Sequence, residues 1–544
     1  MRERDDPLDA VGDDRAEPAP PRGQPKRNAR GDGRLALSTA IFAGATGLAR
    51  ILGLVREIVA RRYFGVDGAG INAFTAAFQI PNLVRALVAD IALSSAFVPV
   101  FSELLEKGER ARAWRVASTL FWLLLLGLAA LTALFMLAAP LVMKPFGFEG
   151  EQEQLAITLS RILFPIVALL GVSGLVVGIL NSYGHFSVPA LTPVAWNIAI
   201  IVGLVVGVPQ AGSEEAELYV YAGSILAGTV IQVLLPIPWL RGRDGALRVA
   251  VDWRDPAIRR VFVLMGPVTL GLGLINFNQV IGTVFAAQLI DRTLAPAAID
   301  AAFRVYMLPQ GIFSVAVATV LFPSLSRLAT RADWEGFRGT VSLGIRQIGF
   351  LLVPASVASA VLAEPIVRVL YERGEFGPRE TTVVAGALAA FSLGLTFNGM
   401  MLMLNRAFFS LQSPWTPTAV ALGNLALNTL LYYAFYRVGT WGIPLAISLA
   451  NVAGAAALLL LLQRRLGRID FGRISSSLGR VVVASGVLGA VAYGVFAGLD
   501  GRVPVLAALV AALAAGAGAY AVSARLLGIR ELEALLALRR RRGR

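Results

Sequence analysis

The sequence contains no cysteine and a single histidine, His185. Disulfides, thiol nucleophiles and cysteine-ligated metals are therefore excluded, as is any multi-histidine metal centre. Charge is scarce as well. Only 15% of the 544 residues are charged, whereas 56% are hydrophobic, a balance too apolar for a soluble globular chain of this length. There is no GxxxxGK[ST] loop to hold nucleotide phosphates, so neither a cofactor nor a nucleotide drive is expected.

What is present is a series of long apolar runs, each able to cross a hydrocarbon core of ~30 Å as a helix rising ~1.5 Å per residue. About fourteen membrane-spanning helices are expected, starting near residues 36, 71, 114, 154, 188, 217, 259, 297, 341, 380, 414, 440, 480 and 502. Alternate connections are basic, such as "RGRDGALRVAVDWRDPAIRR", whereas "GFEGEQEQ" and "VPQAGSEEAE" are acidic. The positive-inside rule then puts both termini in the cytoplasm, in agreement with an even number of crossings. The formal charge of +14 is accordingly read as topology and contact with membrane lipids; no nucleic-acid partner is expected. Residues 1–34 carry eight acidic and eight basic side chains and lack both an apolar core and a signal-peptide pattern. They are read as a disordered cytoplasmic tail.

Several matches share an offset of 224 residues: Pro99 with Pro323, Ser118 with Ser342, and Ser224 with Ser448. The fold class expected is an all-α membrane protein with two pseudo-symmetric six-helix lobes and two C-terminal helices. The N-terminal lobe would span 35–242, the C-terminal lobe 259–466 and the extra pair 480–528, followed by a basic cytoplasmic tail at 529–544.

Four arginines fall at membrane depth: Arg50 and Arg56 in the first span, Arg85 in the second and Arg304 in the eighth. Facing lipid, each costs about 2.5–3.5 kcal/mol, so four together cost on the order of 10 kcal/mol. They are expected to face a hydrated cavity instead. The nearby acids are Glu57, about 100° around the helix from Arg56, and Asp90. Guanidinium forks match phosphate oxygens and stay protonated, so such a cavity suits a diphosphate head group. Structural ion pairs or helix caps are the alternative reading. Pro81 removes a backbone donor beside Arg85 and marks either a packing kink or a hinge. Asn276, Asn278 and Gln279 either line the cavity or bond between helices.

The stretches "ARILGLVREIVARRYFG", "NAFTAAFQIPNLVRALVAD", "SSAFVPVFSEL", "LPQGIFSVAVATVLFPSLS" and "LYERGEF" resemble the MurJ (MviN) family of lipid II flippases over about residues 36–528. The resemblance implies the multidrug/oligosaccharidyl-lipid/polysaccharide exporter fold and outward transfer of undecaprenyl-diphosphate-linked peptidoglycan precursor across the bacterial cytoplasmic membrane. It implies no enzymatic step. It casts Arg50, Arg56, Arg85 and Arg304 as substrate-binding residues, with Glu57, Asn72, Pro81 and Asp90 supporting or gating, and helices 13 and 14 as a lipid-tail groove.

Several positions depart from the family pattern. Asn72 replaces an acid, Asp90 a glutamate and Ala297 a serine, while Gly282 and Asn428 stand where some relatives place acids of a sodium site. Membrane potential is then the expected drive. Lipid II and membrane lipids are the implied partners, with cell-wall synthesis proteins as further candidates. Export of another polyprenyl-linked glycan is the alternative function. A cation-coupled drug antiporter, which favours acids in its cavity, and a nontransporting scaffold fit less well.

Overall fold

The computed structural model describes residues 29–88, 91–250, 252–467, 470–529 and 531. Residues 1–28, Asp90 and 532–544 therefore lie outside the described residues, and with them most of both expected tails. The described residues form helices and no strands.

Helix α1 spans Ala29–Phe64 and so takes in six residues assigned to the disordered tail. No proline occurs between Pro25 and Pro81, so nothing local stops the helix from running past its apolar stretch. The second expected span is held by α2 (Ala69–Val88) and α3 (Ile91–Glu106). Then follow α4 (Arg110–Leu137), α5 (Glu151–Ser182), α6 (Ser187–Gln210) and α7 (Glu214–Leu240). Next come α8 (Pro256–Phe285), α9 (Ala295–Thr330), α10 (Trp334–Val361) and α11 (Pro378–Ser410). The chain closes with α12 (Trp415–Val438), α13 (Gly442–Leu466), α14 (Phe471–Leu499) and α15 (Val505–Leu526).

Eleven of these helices, α4–α7 and α9–α15, are long and apolar enough to cross a membrane. The sequence reading counts about fourteen. Its other three positions hold α1, α2 with α3, and α8. Asn72, Gln79, Asn82 and Arg85 dilute the apolar character of α2, and Arg50, Arg56, Glu57 and Arg61 that of the second half of α1. Helix α8 has 30 residues, enough to cross ~30 Å at ~1.5 Å per residue.

Contacts between loops sort them onto two faces. The near face, where α1 begins, joins Arg112 to Asp255, Glu103 to Arg260 and Arg338 to the Leu466 carbonyl. The far face, where α1 ends, joins Asp67 to Arg379, Glu149 to Arg292 and Arg368 to Asp500. Helices α1–α7 pack mainly on one another, and α9–α13 do the same. Helix α8 touches α2 and α3 on one side and α12 on the other, while α14 lies on α10 and carries α15.

Small residues set the closest crossings, as in other membrane bundles. A Cβ on Gly394 of α11 would lie 2.6 Å from the Ser448 Cα of α13. Ser448 in turn donates to the Ala390 carbonyl at 2.6 Å.

Candidate functional site

Between α1 and α2 the chain turns through Gly65, whose φ of +56° is left-handed. A Cβ there would also sit 2.6 Å from Glu380 Oε1. That oxygen accepts from the Val66 and Asp67 amides at 2.6 and 2.8 Å, and Oε2 accepts from Gly377 at 2.6 Å. Asn72 works alongside. Its side-chain amide donates to the carbonyls of Val66, Gly68 and Thr293, while its Oδ1 accepts from the Ala297 amide at 2.8 Å. Gln152 adds donations to the Ala69 and Arg292 carbonyls, each at 3.1 Å. These bonds join α1, α2 and α5 to the starts of α9 and α11, and close the far face.

Beneath this seal lies a cluster of charges. Arg61 Nε donates to Glu57 Oε1 at 3.0 Å, and Arg61 Nη2 donates to Asp300 Oδ2 at 3.3 Å. Arg304 Nη2 donates to Asp300 Oδ1, also at 3.3 Å. Arg56 stands over the Trp196 ring with its guanidinium carbon 4.8 Å from the centroid, and its Nε is buried without a hydrogen-bond partner. Arg56, Arg61 and Arg304 line one small void of about 30 Å³ with Glu57 and Asp300, space for a water or two and not for a phosphate.

Gln79 and Asp300 also line a second, larger cavity of about 420 Å³. Its wall is rich in uncharged amides, including Asn276, Asn278, Gln279, Asn398, Asn424 and Asn428. Asn278 accepts from Tyr432 at 3.2 Å as well, so the polar cluster of α8 both lines the cavity and bonds between helices. A side chain at Gly282 would meet the Tyr432 hydroxyl at 3.5 Å and Ile443 at 3.7 Å. Tyr432 thus occupies the space toward which a longer residue would project.

Arg50 lies six residues before Arg56, about 9 Å nearer the near face. It is exposed, and its Nη1 donates to the Gly311 carbonyl at 3.0 Å. Gly311 belongs to a wide π turn of α9, Gln310–Ser314, and such turns loosen the regular ladder and are common at functional sites. Arg85 Nε and Nη2 donate to Asn82 Oδ1 at 3.2 and 2.8 Å. Pro81 sits inside α2 and is buried.

The structure therefore brings together Arg56, Glu57 and Arg304, places Arg50 along the same helix and Asn72 in the seal, and keeps Arg85 and Pro81 apart from the arginine cluster. Two members were missed from the sequence, Arg61 and Asp300, so acids are less scarce than expected. Glu57 also serves Arg61 at 2.9 Å more closely than Arg56 at 3.8 Å. Both contacts within helices follow acid-then-arginine spacings of four, Glu57–Arg61 and Asp300–Arg304, a signal present in the sequence.

Residues 60–509 match the family model described as lipid II flippase MurJ. The chain belongs to the MurJ family. It is 30% identical over 432 residues to the lipid II flippase MurJ of Burkholderia cenocepacia, covering 78% of this chain and 83% of that protein. It is 32% identical over 460 residues to the probable lipid II flippase MurJ of Synechocystis sp., covering 82% and 85%. Among solved structures, a lipid II flippase MurJ in an inward closed conformation superposes with a TM-score of 0.75 at 24% identity, covering 90% of this chain and 98% of that one. An inward-facing multidrug resistance MATE family transporter of the MOP superfamily gives 0.68 at 17% identity, over 79% and 99%. At these identities the superpositions establish the fold shared by MurJ proteins and this superfamily.

Proposed function

We propose that this protein is a flippase that carries lipid II, the undecaprenyl-diphosphate-linked peptidoglycan precursor, from the inner to the outer leaflet by alternating access. The observation that carries the reading is the convergence of Arg56 and Arg61 from α1 with Arg304 from α9 around Asp300. With Arg50, four guanidiniums face two carboxylates, Glu57 and Asp300, leaving a formal charge of +2. A diphosphate diester brings about −2, and guanidinium forks suit its oxygens.

In this reading residues 35–242 and 259–466 are two lobes, 480–528 forms the groove for the lipid tail, and both termini and the near face are cytoplasmic. The basic near-face connections support that orientation. Glu57 and Asp300 hold the arginines in place when no substrate is bound. An arriving diphosphate meets Arg50 first, then competes with Asp300 for Arg304 and Arg61. Since Asp300 ties Arg61 of α1 to α9 beneath the seal, that exchange loosens the far face when an anion is there to replace it. The head group then leaves outward while its tail stays in the bilayer. Membrane potential acts on the charges that move, at ~2.3 kcal/mol per charge per 100 mV.

The test is outward exposure of labelled lipid II in vesicles, with and without an imposed potential. Arg50→Ala, Arg56→Ala, Arg85→Ala and Arg304→Ala are expected to lose flipping while remaining inserted. Wild-type rates in stable Arg56→Ala and Arg304→Ala variants would overturn the proposal.

A further inference from the structure

Away from the central site, a second basic pocket of about 300 Å³ opens at the near face. It lies between α10, the first turns of α14 and the turn that follows α15. Arg346, Arg473 and Arg480 line it together with Ser477 and Glu531. The spacing of 473, 477 and 480 puts three of these on one face of α14.

The pocket is only partly neutralised from within. Glu531 meets Arg346 Nη1 at 2.9 Å, with their side chains 4% and 15% exposed respectively. Arg480 Nη1 donates to the Leu527 and Gly528 carbonyls at 3.2 and 3.4 Å, which holds the chain reversal after α15 against α14. Arg473 reaches Asp470 at 3.6 Å and is otherwise exposed. Two buried donors have no hydrogen-bond partner, Arg346 Nε and Ser477 Oγ. Three arginines, Arg473 among them exposed, thus face one lining carboxylate with two donors unused, which favours a further anion. Guanidinium groups and a hydroxyl are the donors that phosphate oxygens take.

The surroundings say where that anion comes from. Immediately toward the membrane from the pocket, α14 presents Val482 and Val483, and α15 presents Val522 and Leu526, all more than half exposed. A ligand held here has its phosphate among arginines and aliphatic chains at its flank. Basic pockets between membrane helices at an interface take anionic lipid head groups in this way.

We propose that this pocket binds the phosphate of an anionic phospholipid from the leaflet at the near face. Glu531 limits its affinity, because it supplies an internal negative charge against Arg346. The bound lipid ties α14 and α15 to α10, and so links the extra helix pair to the second group of helices. This is independent of what the central cavity carries.

The experiment uses the full chain, purified in detergent and titrated with phosphatidylglycerol, phosphatidylcholine or inorganic phosphate, reading retained lipid by native mass spectrometry and the thermal midpoint. Phosphatidylglycerol is expected to be retained in preference to phosphatidylcholine and to raise the midpoint. Arg473→Gln, which leaves the Arg480 tether intact, is expected to weaken retention about fivefold, the equivalent of ~1 kcal/mol for one arginine near an anionic surface. Glu531→Gln is expected to tighten it. Melting of Arg473→Gln like the wild type in phosphatidylcholine separates lost binding from lost folding. Equal retention of the two lipids, unchanged retention in Arg473→Gln, or equal protection by inorganic phosphate each overturns the assignment.

Discussion

Arg61 of α1 and Asp300 of α9, 239 positions apart in sequence, meet at 3.3 Å with side chains 5% and 14% exposed. This enclosed ion pair joins the two helices directly, so Asp300 is the place to test how the seal is held. Removing one partner of a buried pair costs about 3–5 kcal/mol because the other charge is stranded. Asp300→Asn is therefore expected to open the far face. The chain has no cysteine, so Ala297→Cys provides a single reporter at a fully buried position. Its labelling by a membrane-impermeant maleimide is expected to rise at least about tenfold in Asp300→Asn, the equivalent of ~1.4 kcal/mol. An unchanged rate would falsify the latch.

Asn72 supports a sharper substitution. Its amide nitrogen donates to three carbonyls at once, and only its oxygen accepts. Asn72→Asp keeps the acceptor for Ala297 and sets a carboxylate against three carbonyl oxygens. Although relatives of this sequence are expected to carry an acid here, the change is predicted to loosen this chain, by about 1–3 kcal/mol for the lost bonds. The same Ala297→Cys reporter reads it as faster labelling, and Asn72→Asp with the wild-type rate counts against the seal.

At the near face, two Arg112 hydrogen bonds of 3.0 Å hold the Asp255 carboxyl below its ordinary range, with a further bond from the Ala257 amide and despite some desolvation. A depressed folded-state value means that the stabilisation is present above the unfolded carboxylate value of about 3.9 and fades as pH falls through the lower folded one. Asp255→Asn should therefore lower the thermal midpoint at pH 7 and converge on wild type as pH falls through the depressed folded-state value. A constant difference across that range would show that the carboxylate charge is not the cause.

Packing makes a prediction with its own control. Gly394→Ala places a methyl group 2.6 Å from the Ser448 backbone, whereas Gly386, on the same helix, has open space around it. The first substitution is expected to cost about 1–3 kcal/mol or more, the second little. Thermal unfolding of the two variants in detergent compares them, and equal midpoints would contradict the close α11–α13 crossing.

Much of this was legible before any coordinates, because spans are written in long apolar runs and membrane arginines stand out against them. Arg56 and Arg304 were found that way. Arg61 was not: it lies beside Arg62 at the very end of α1, and its partner Asp300 stands one turn before Arg304 in another helix. Pairing across 239 positions is set by tertiary packing, which no local pattern reports. Asn72 stands in the sequence as a departure from an acid and as a supporting or gating position, with no partner indicated. Its reach to Thr293 and Ala297 depends on how the start of α9 sits over α2, and amide geometry of that kind leaves no periodic trace.

The wide turn at Gln310–Ser314 has one more residue than an ordinary helical turn. Side chains before and after it are consequently out of phase by about 100° compared with an unbroken rod. Arg304 and Gln310 look toward the interior, while Val315 and Val320 on the later turns are 42% and 73% exposed. One surplus residue thus lets a single helix show water-seeking groups to the chamber along one length and an oily flank along the next, with Arg50 gripping a carbonyl of the turn itself.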